Sequence, residues 1–170
     1  MTGHATTQSQ PTTSYEAAAA QREARFLEAL QAAGLRLTAQ RRAICHYLAR
    51  TDAHPTAQQI YEALKPQFPS LSLTTVYNTL DVLVRLGLVY ALGGAGDRAV
   101  HYETNTEPHI NLACLVCHRV IDLPMPEVGA WRSRVAEASG FKILGARLVY
   151  YGVCPECQRQ NPADDNPPSE

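Results

Sequence analysis

From about Glu16 to Leu86 the apolar residues recur at helical spacing, and from Gly87 onward the spacing becomes mostly strand-like. The helical stretch breaks into four segments. The first is Ala-rich, carries Phe26, Leu27 and Leu30, and stops at Gly34, a residue type that closes helices in the left-handed conformation. Thr38 predicts the N-cap of a second helix, with Ile44, Cys45 and Leu48 facing inward. After Pro55, Thr56 and Gln59 have the spacing of a capping box for a third, which carries Ile60, Ala63 and Leu64 and is ended by Pro66 and Pro69. Ser72 caps a fourth, Leu71 and Val76 form its hydrophobic staple, and Val76, Leu80 and Leu83 line its buried stripe up to Gly87.

Two short alternating segments follow, Leu88 to Leu92 and Ala99 to Thr104, around Gly93-Gly94-Ala95-Gly96, which predicts a β-hairpin. Three helices after a leading one, then a hairpin, is the order of a winged helix-turn-helix. The second half predicts strands at Ile110 to Cys114 and Val120 to Leu123, a helix at about Glu127 to Ser139, and a strand from Phe141 to Tyr151. That last strand is apolar on both faces, Leu148 and Tyr150 on one and Val149 and Tyr151 on the other, so a second subunit could supply one of its covers. The expected fold class is α+β, with an N-terminal winged helix-turn-helix followed by a small α/β dimerisation domain.

With 170 residues, 45% of them hydrophobic and 18% charged, the chain can bury one large core or two small ones. A formal net charge of −1 does not exclude a nucleic-acid partner, because basic residues need only gather on one face. No apolar run is long enough to cross a bilayer, and Met1 to Ser14 lacks the apolar core of a signal peptide. These features point to a reducing cytoplasm, in which five cysteines stay unpaired and serve first as metal ligands or redox groups. Residues 1–15 and 160–170 are polar or Pro- and Asp-rich and are expected to be disordered tails.

Off the apolar stripe of the fourth helix lie Thr74, Thr75, Tyr77 and Asn78, groups able to meet phosphate, base edges or a thymine methyl. Arg36, Arg41 and Arg42 cluster upstream as candidate phosphate anchors, while Asp81 works against them. The plainer reading is an ordinary solvated face. Cys114-Leu-Val-Cys117 and Cys154-Pro-Glu-Cys157 are the sharpest signal: two C-x-x-C pairs supply the tetrahedral four-sulfur shell that zinc prefers. A closed shell of this kind is structural and clips the last strand to its domain. Cys114 to His118 also spells the haem-attachment string, but that goes with export and would leave the second pair idle. A thioredoxin-like pair would need a βαβ context that is absent here. Cys45, on the apolar side of its helix, reads as a buried structural thiol. No nucleophile–base pairing or phosphate-cradling glycine loop suggests an enzyme.

His54, Glu103, His109 and Asp122 are scattered near the junction of the halves and offer nitrogen and oxygen donors suited to Fe²⁺, Mn²⁺ or a second Zn²⁺. Their meaning comes from a resemblance. Leu35 to Ile44, His54-Pro-Thr-Ala57, Ser72 to Leu80, His101-Tyr-Glu103, His109 to Cys114 and Tyr151 to Cys157 resemble the ferric uptake regulator (Fur) family, most of all its PerR peroxide-sensing branch. The resemblance runs over about residues 20 to 158.

It implies a homodimeric repressor of double-stranded operator DNA, with a structural Zn²⁺ and a regulatory Mn²⁺ or Fe²⁺ held between the domains. By position the regulatory ligands are His54, Glu103, His109, Asn111 and Asp122. Two departures stand out: Asn111 where the family usually has histidine, and Glu103 where the PerR branch usually has aspartate. The centre then holds four protein ligands plus water, or recruits His101. In the PerR branch peroxide oxidises the histidines that match His54 and His109; both are present. The implied organisation is a DNA-binding domain over 16–104, a hinge at 105–109 and a dimerisation domain over 110–159, with no membrane partner and no small organic ligand. The alternatives are a zinc-uptake regulator of the same family, or a zinc-ribbon protein-interaction module that reads no DNA.

Overall fold

The computed structural model describes residues 12–160 except 106 and 144; the expected tails at 1–11 and 161–170 lie outside them. The described chain divides into two compact units, one of residues 12–51 with Ile60–Leu88, the other of Asp52–Gln59 with residues 89–160.

The first unit is helical: α1 (Thr12–Ala32), α2 (Ala39–Ala49), most of α3 (Ala57–Leu64) and α4 (Leu73–Arg85). Its helix ends follow the local code. Thr38 Oγ1 accepts the Arg41 N–H at 3.3 Å and Ser72 Oγ accepts the Thr75 N–H at 3.1 Å. Gly34 (φ 79°) and Gly87 (φ 68°) close α1 and α4. In each case the next residue's N–H reaches back to the carbonyl five residues earlier, Leu35 to Leu30 and Leu88 to Leu83, both at 3.0 Å. Phe26, Leu30, Ile44, Leu48, Val76, Leu80 and Leu83 are buried. Burial of each such side chain stabilises by about 1.5–3 kcal/mol, more than helix propensity supplies. Glu23 ties α1 to α2 through Arg50 Nη1 at 2.6 Å and His46 Nδ1 at 3.1 Å. Partial burial raises the Glu23 carboxyl, but the contacts with Arg50 and His46 outweigh it and hold it below the usual carboxylate range. Helix α1 begins at Thr12, inside the stretch expected to be a tail.

The second unit holds a hairpin, β1 (Tyr90–Leu92) with β2 (His101–Glu103), and a three-stranded sheet of β3 (His109–Cys114), β4 (Val120–Pro124) and β5 (Val149–Gly152) in the order β4-β3-β5. β4 is antiparallel to β3, with Asn111 opposite Asp122; β5 is parallel to it, with Cys114 opposite Gly152. Helix α5 (Glu127–Ser139) makes the crossover, and a short α6 (Pro155–Gln160), not expected from the sequence, follows β5. Leu92, Ala95, Ala113 and Val120 form a core with Val149 against it. Both flanks of the expected hinge, 105–109, belong to this unit, and His109 is already in β3.

One expectation needs correction. Among the described residues, the strand expected over Phe141 to Tyr151 is extended ladder only at Val149–Gly152. Apolar composition alone does not make a strand: the backbone needs a ladder partner, and β5 is a sheet edge whose single neighbour, β3, is only six residues long. Tyr150 and Tyr151 are about half exposed (55% and 53%), while Val149 packs against the core.

Candidate metal centres and helix face

Every residue of β2 is buried, His101 and Glu103 included, an arrangement that costs free energy unless the polar groups find partners. Beside β2 runs the segment leading into α3: the Tyr102 N–H donates to the Pro55 carbonyl at 3.0 Å and Thr56 bridges to His101. The Thr56–Gln59 capping box fixes its helical end, with reciprocal bonds of 2.8 and 3.2 Å. Thus His54 is set beside Glu103. Asp122 comes from β4, opposite Asn111 on β3, and His109 lies two residues before Asn111 on the same strand face.

Ligand atoms of His54, Glu103 and Asp122 all fall within 4.8 Å of one another. His54 Nε2 is 2.9 Å from Asp122 Oδ1 and 3.8 Å from Glu103 Oε1; His109 Nε2 is in contact with Glu103 Oε1 and 3.8 Å from Asp122 Oδ1. Asn111 Nδ2 lies 3.2 Å from His109 Nε2. Yet Glu103 Oε1, Asp122 Oδ1 and Asn111 Oδ1 are buried with no aligned hydrogen bond. Close approach without hydrogen-bond alignment is what donors aimed at a common centre show. Around the rim the groups are fixed: His109 Nδ1 donates to the Glu107 carbonyl at 2.6 Å, leaving Nε2 inward, and Asn105 Nδ2 donates to Asp122 Oδ2 at 2.8 Å.

Burial pushes the His54 pKa down, but the carboxylates of Asp122 and Glu103 outweigh it and raise it to about 9. Burial likewise raises the Asp122 carboxyl, and the His54 and Asn105 contacts more than reverse it, to below its usual value. Two carboxylates, two imidazoles and an amide match the charge of one divalent cation, and the donor set is oxygen-rich. The residues therefore fit a divalent metal. His101 does not belong to the donor set: its Nδ1 donates to the His54 carbonyl at 2.9 Å and its Nε2 faces both Asp97 oxygens at 3.3 Å. All five candidate ligands belong to the second unit, whereas the family resemblance had implied ligands drawn from both halves.

The four cysteine sulfurs converge as the spacing predicts, all within 4.8 Å of one another, with Cys117 Sγ 3.9 Å from Cys154 Sγ. The turn after Cys114 is closed by the His118 N–H on the Cys114 carbonyl at 2.9 Å, with His118 itself left-handed (φ 59°). Burial raises the Cys114 thiol, yet backbone N–H groups of Cys117, Cys154 and Val116 bring it down to about 6, which readies a thiolate. The Cys157 thiol, hydrogen-bonded to Cys154, is pushed up to about 12. Arg119 Nη2 lies 3.4 Å from Cys154 Sγ, a positive neighbour for a thiolate cluster that the spacing alone did not reveal. A closed four-sulfur shell fits zinc.

Over residues 32–151 the chain matches the Ferric uptake regulator family. The chain belongs to that family. A peroxide-responsive repressor, PerR, of Staphylococcus aureus (strain Mu50) is 37% identical over 132 residues, 78% of this chain and 88% of the relative. A solved zinc-bound manganese uptake regulator is 31% identical with a TM-score of 0.57, over 76% of this chain and 98% of that one. The Helicobacter pylori ferric uptake regulator Fur shares the fold, with a TM-score of 0.68 at 21% identity over 82% of this chain and 93% of its own. As a Fur-family member the protein is a metal-responsive regulator.

In this Fur-family chain the candidate DNA-reading residues sort unevenly. Thr74, Tyr77 and Asn78 are exposed on α4, as are Arg36 and Arg42 upstream of it. Thr75 is half-buried, and its hydroxyl meets Ser72 Oγ at 2.8 Å as part of the cap. Arg41 donates through Nη1 to the Arg36 carbonyl at 2.7 Å, so it braces the loop before α2 as well as offering charge. Cys45 is fully buried, and burial pushes its thiol up to about 12, in keeping with a structural role.

Proposed function

We propose that the chain is a transcriptional repressor that binds double-stranded operator DNA as a homodimer when Mn²⁺ or Fe²⁺ occupies the centre of His54, Glu103, His109, Asn111 and Asp122. Zinc held by Cys114, Cys117, Cys154 and Cys157 is structural. The observation that carries this reading is the buried set of carboxylate and amide oxygens, unbonded yet converging with two imidazoles. A bound divalent ion would balance the charge of Glu103 and Asp122, and the oxygen-rich set favours Mn²⁺ or Fe²⁺ over zinc.

The chain's own residues convert occupancy into a signal. His54 stands three positions before the first residue of α3, and Glu103 ends the second strand of the hairpin. Fixing these two side chains fixes the entry to one helix and one arm of the wing within a DNA-binding part that spans 16–104. The coupling expected of such a shift is about 1–3 kcal/mol, roughly 5–150-fold in DNA affinity. Arg36, Arg41 and Arg42 meet phosphates, and Thr74, Thr75, Tyr77 and Asn78 meet the groove. The dimerisation part, 110–159, offers the half-exposed Ile121, Leu123, Tyr150 and Tyr151 to a second copy. The protein turns over no substrate and works in the cytoplasm; among the described residues no helix is long and apolar enough to cross a membrane.

Release by peroxide is a second reading, favoured by the likeness to a peroxide-responsive repressor and by the pairing of His54 with His109. A cavity of about 100 Å³ is bordered by Glu103, His109, Asn111 and Arg132. Oxidation of either imidazole removes a donor. The test is operator binding by zinc-loaded protein titrated anaerobically with Mn²⁺ and Fe²⁺, then repeated after a peroxide pulse. Tightening by both metals supports the repressor, and loss only with iron supports peroxide sensing. Tightening by zinc alone refutes the assignment of Mn²⁺ or Fe²⁺, and no DNA binding under any condition refutes the repressor itself.

A further inference from the structure

A histidine that binds a metal through one ring nitrogen is usually held by a hydrogen bond from the other. His109 obeys, through its Nδ1 and the Glu107 carbonyl. His54 does not: its Nδ1 is buried with no hydrogen-bond partner among the described residues. The ring is therefore not held from its Nδ1 side, and the backbone that carries it is gripped by a side chain instead. His101, itself only 4% exposed, donates from Nδ1 to the His54 carbonyl at 2.9 Å. Its Nε2 sits 3.3 Å from both oxygens of Asp97. Asp97 is in turn anchored, accepting the Ala95 N–H on Oδ1 at 3.0 Å. The Ala95 carbonyl accepts from His118 Nδ1 at 2.8 Å, so the relay ends on the cysteine turn. The hairpin tip leaves little room for alternatives: a Cβ at Gly94 would lie 2.0 Å from the Asp97 carbonyl oxygen.

We propose that His101 and Asp97 are positioning residues of the regulatory metal centre, holding the His54 main chain so that its Nε2 meets Glu103 and Asp122. Neither touches the donor centre. They act by restraining a ligand whose second ring nitrogen has no hydrogen bond among the described residues, and so lower the ordering cost of binding an ion. The inference rests on the regulatory site proposed above.

The experiment uses full-length zinc-loaded protein with Mn²⁺ as the titrant and Co²⁺ as a spectroscopic probe. Three variants are compared with the wild type: His101→Phe, which keeps ring volume and removes both nitrogens; His101→Asn, whose amide can still donate to the His54 carbonyl; and Asp97→Asn, which keeps an acceptor for Ala95 but loses the charge. Expected are a 10–100-fold loss of Mn²⁺ affinity in His101→Phe, recovery of most of it in His101→Asn, and a smaller loss in Asp97→Asn. The Co²⁺ visible bands shift in His101→Phe, while zinc stays at one per chain throughout. Equal losses in His101→Phe and His101→Asn mean mere packing and overturn the proposal, as does wild-type affinity in all three variants. If His101→Phe does not fold, Asp97→Asn decides, and wild-type affinity there overturns it. If the wild type itself binds no second ion, the regulatory centre falls and this inference with it.

Discussion

Replacing Glu103 by glutamine changes one atom and one unit of charge at a position only 2% exposed. In the metal-free protein the change weakens the contacts of Glu103 Oε1 with His109 and His54 and lowers the melting temperature somewhat. In the metal-bound protein a full charge beside the cation disappears. Two unit charges 4 Å apart interact by about 4 kcal/mol at an effective dielectric of 20. Allowing about a third of that for solvation, the loss is about 2.7 kcal/mol, or about two decades of affinity. At an Mn²⁺ concentration of about 100 times the wild-type Kd, binding stabilises the wild type by about 2.7 kcal/mol. For a unit of about 60–100 residues, each kcal/mol moves the melting temperature by about 4–8 °C, so the gain is about 11–22 °C. Glu103→Gln at the same concentration is about half saturated and gains roughly 0.4 kcal/mol, or about 2–3 °C. The assay is thermal unfolding followed by circular dichroism with and without Mn²⁺, with zinc content measured alongside. An undiminished Mn²⁺ shift in Glu103→Gln would refute the ligand role of Glu103. A large drop in the metal-free melting temperature would show instead that the carboxylate is structural.

Other consequences follow from the same geometry. Cys117→Ser opens the four-sulfur shell, and the variant should purify without zinc and melt well below the wild type; full zinc occupancy in a metal assay contradicts a four-cysteine site. Tyr77→Ala, at a position 44% exposed, should leave the melting temperature within about 1 °C and weaken operator binding about tenfold, read by fluorescence anisotropy. Cys45 gives a pH signature. Burial raises its thiol from 9.0 to about 12, so the folded state holds its proton where the unfolded state releases it. The stability it contributes is complete below pH 9 and is lost as pH rises toward 12. The urea midpoint of the wild type should therefore fall over that window more steeply than that of Cys45→Ala, and identical slopes would count against it.

Much of this protein can be read from short stretches of its chain. The caps at Thr38, Ser72 and Thr56, and the closures at Gly34 and Gly87, depend on residues three to five apart, whose hydrogen bonds form wherever the backbone turns helical. Helix α5 was legible at about its bounds, Glu127 to Ser139, and the two C-x-x-C pairs announce a four-sulfur shell because two ligands of each pair are held close by the chain itself. The ligands His54, Glu103 and Asp122 came from family resemblance, since nothing local joins three side chains from such distant segments.

Only tertiary structure decided what those three meet. It placed all five regulatory candidates in one unit, turned His101 away from the donor set and onto Asp97, and left His54 Nδ1 bare. It also cut the expected last strand down to Val149–Gly152. Periodicity records which side chains prefer to leave water, but a ladder needs a neighbour and a ligand shell needs convergence. Both are set by how distant segments pack, which no local pattern of residues contains.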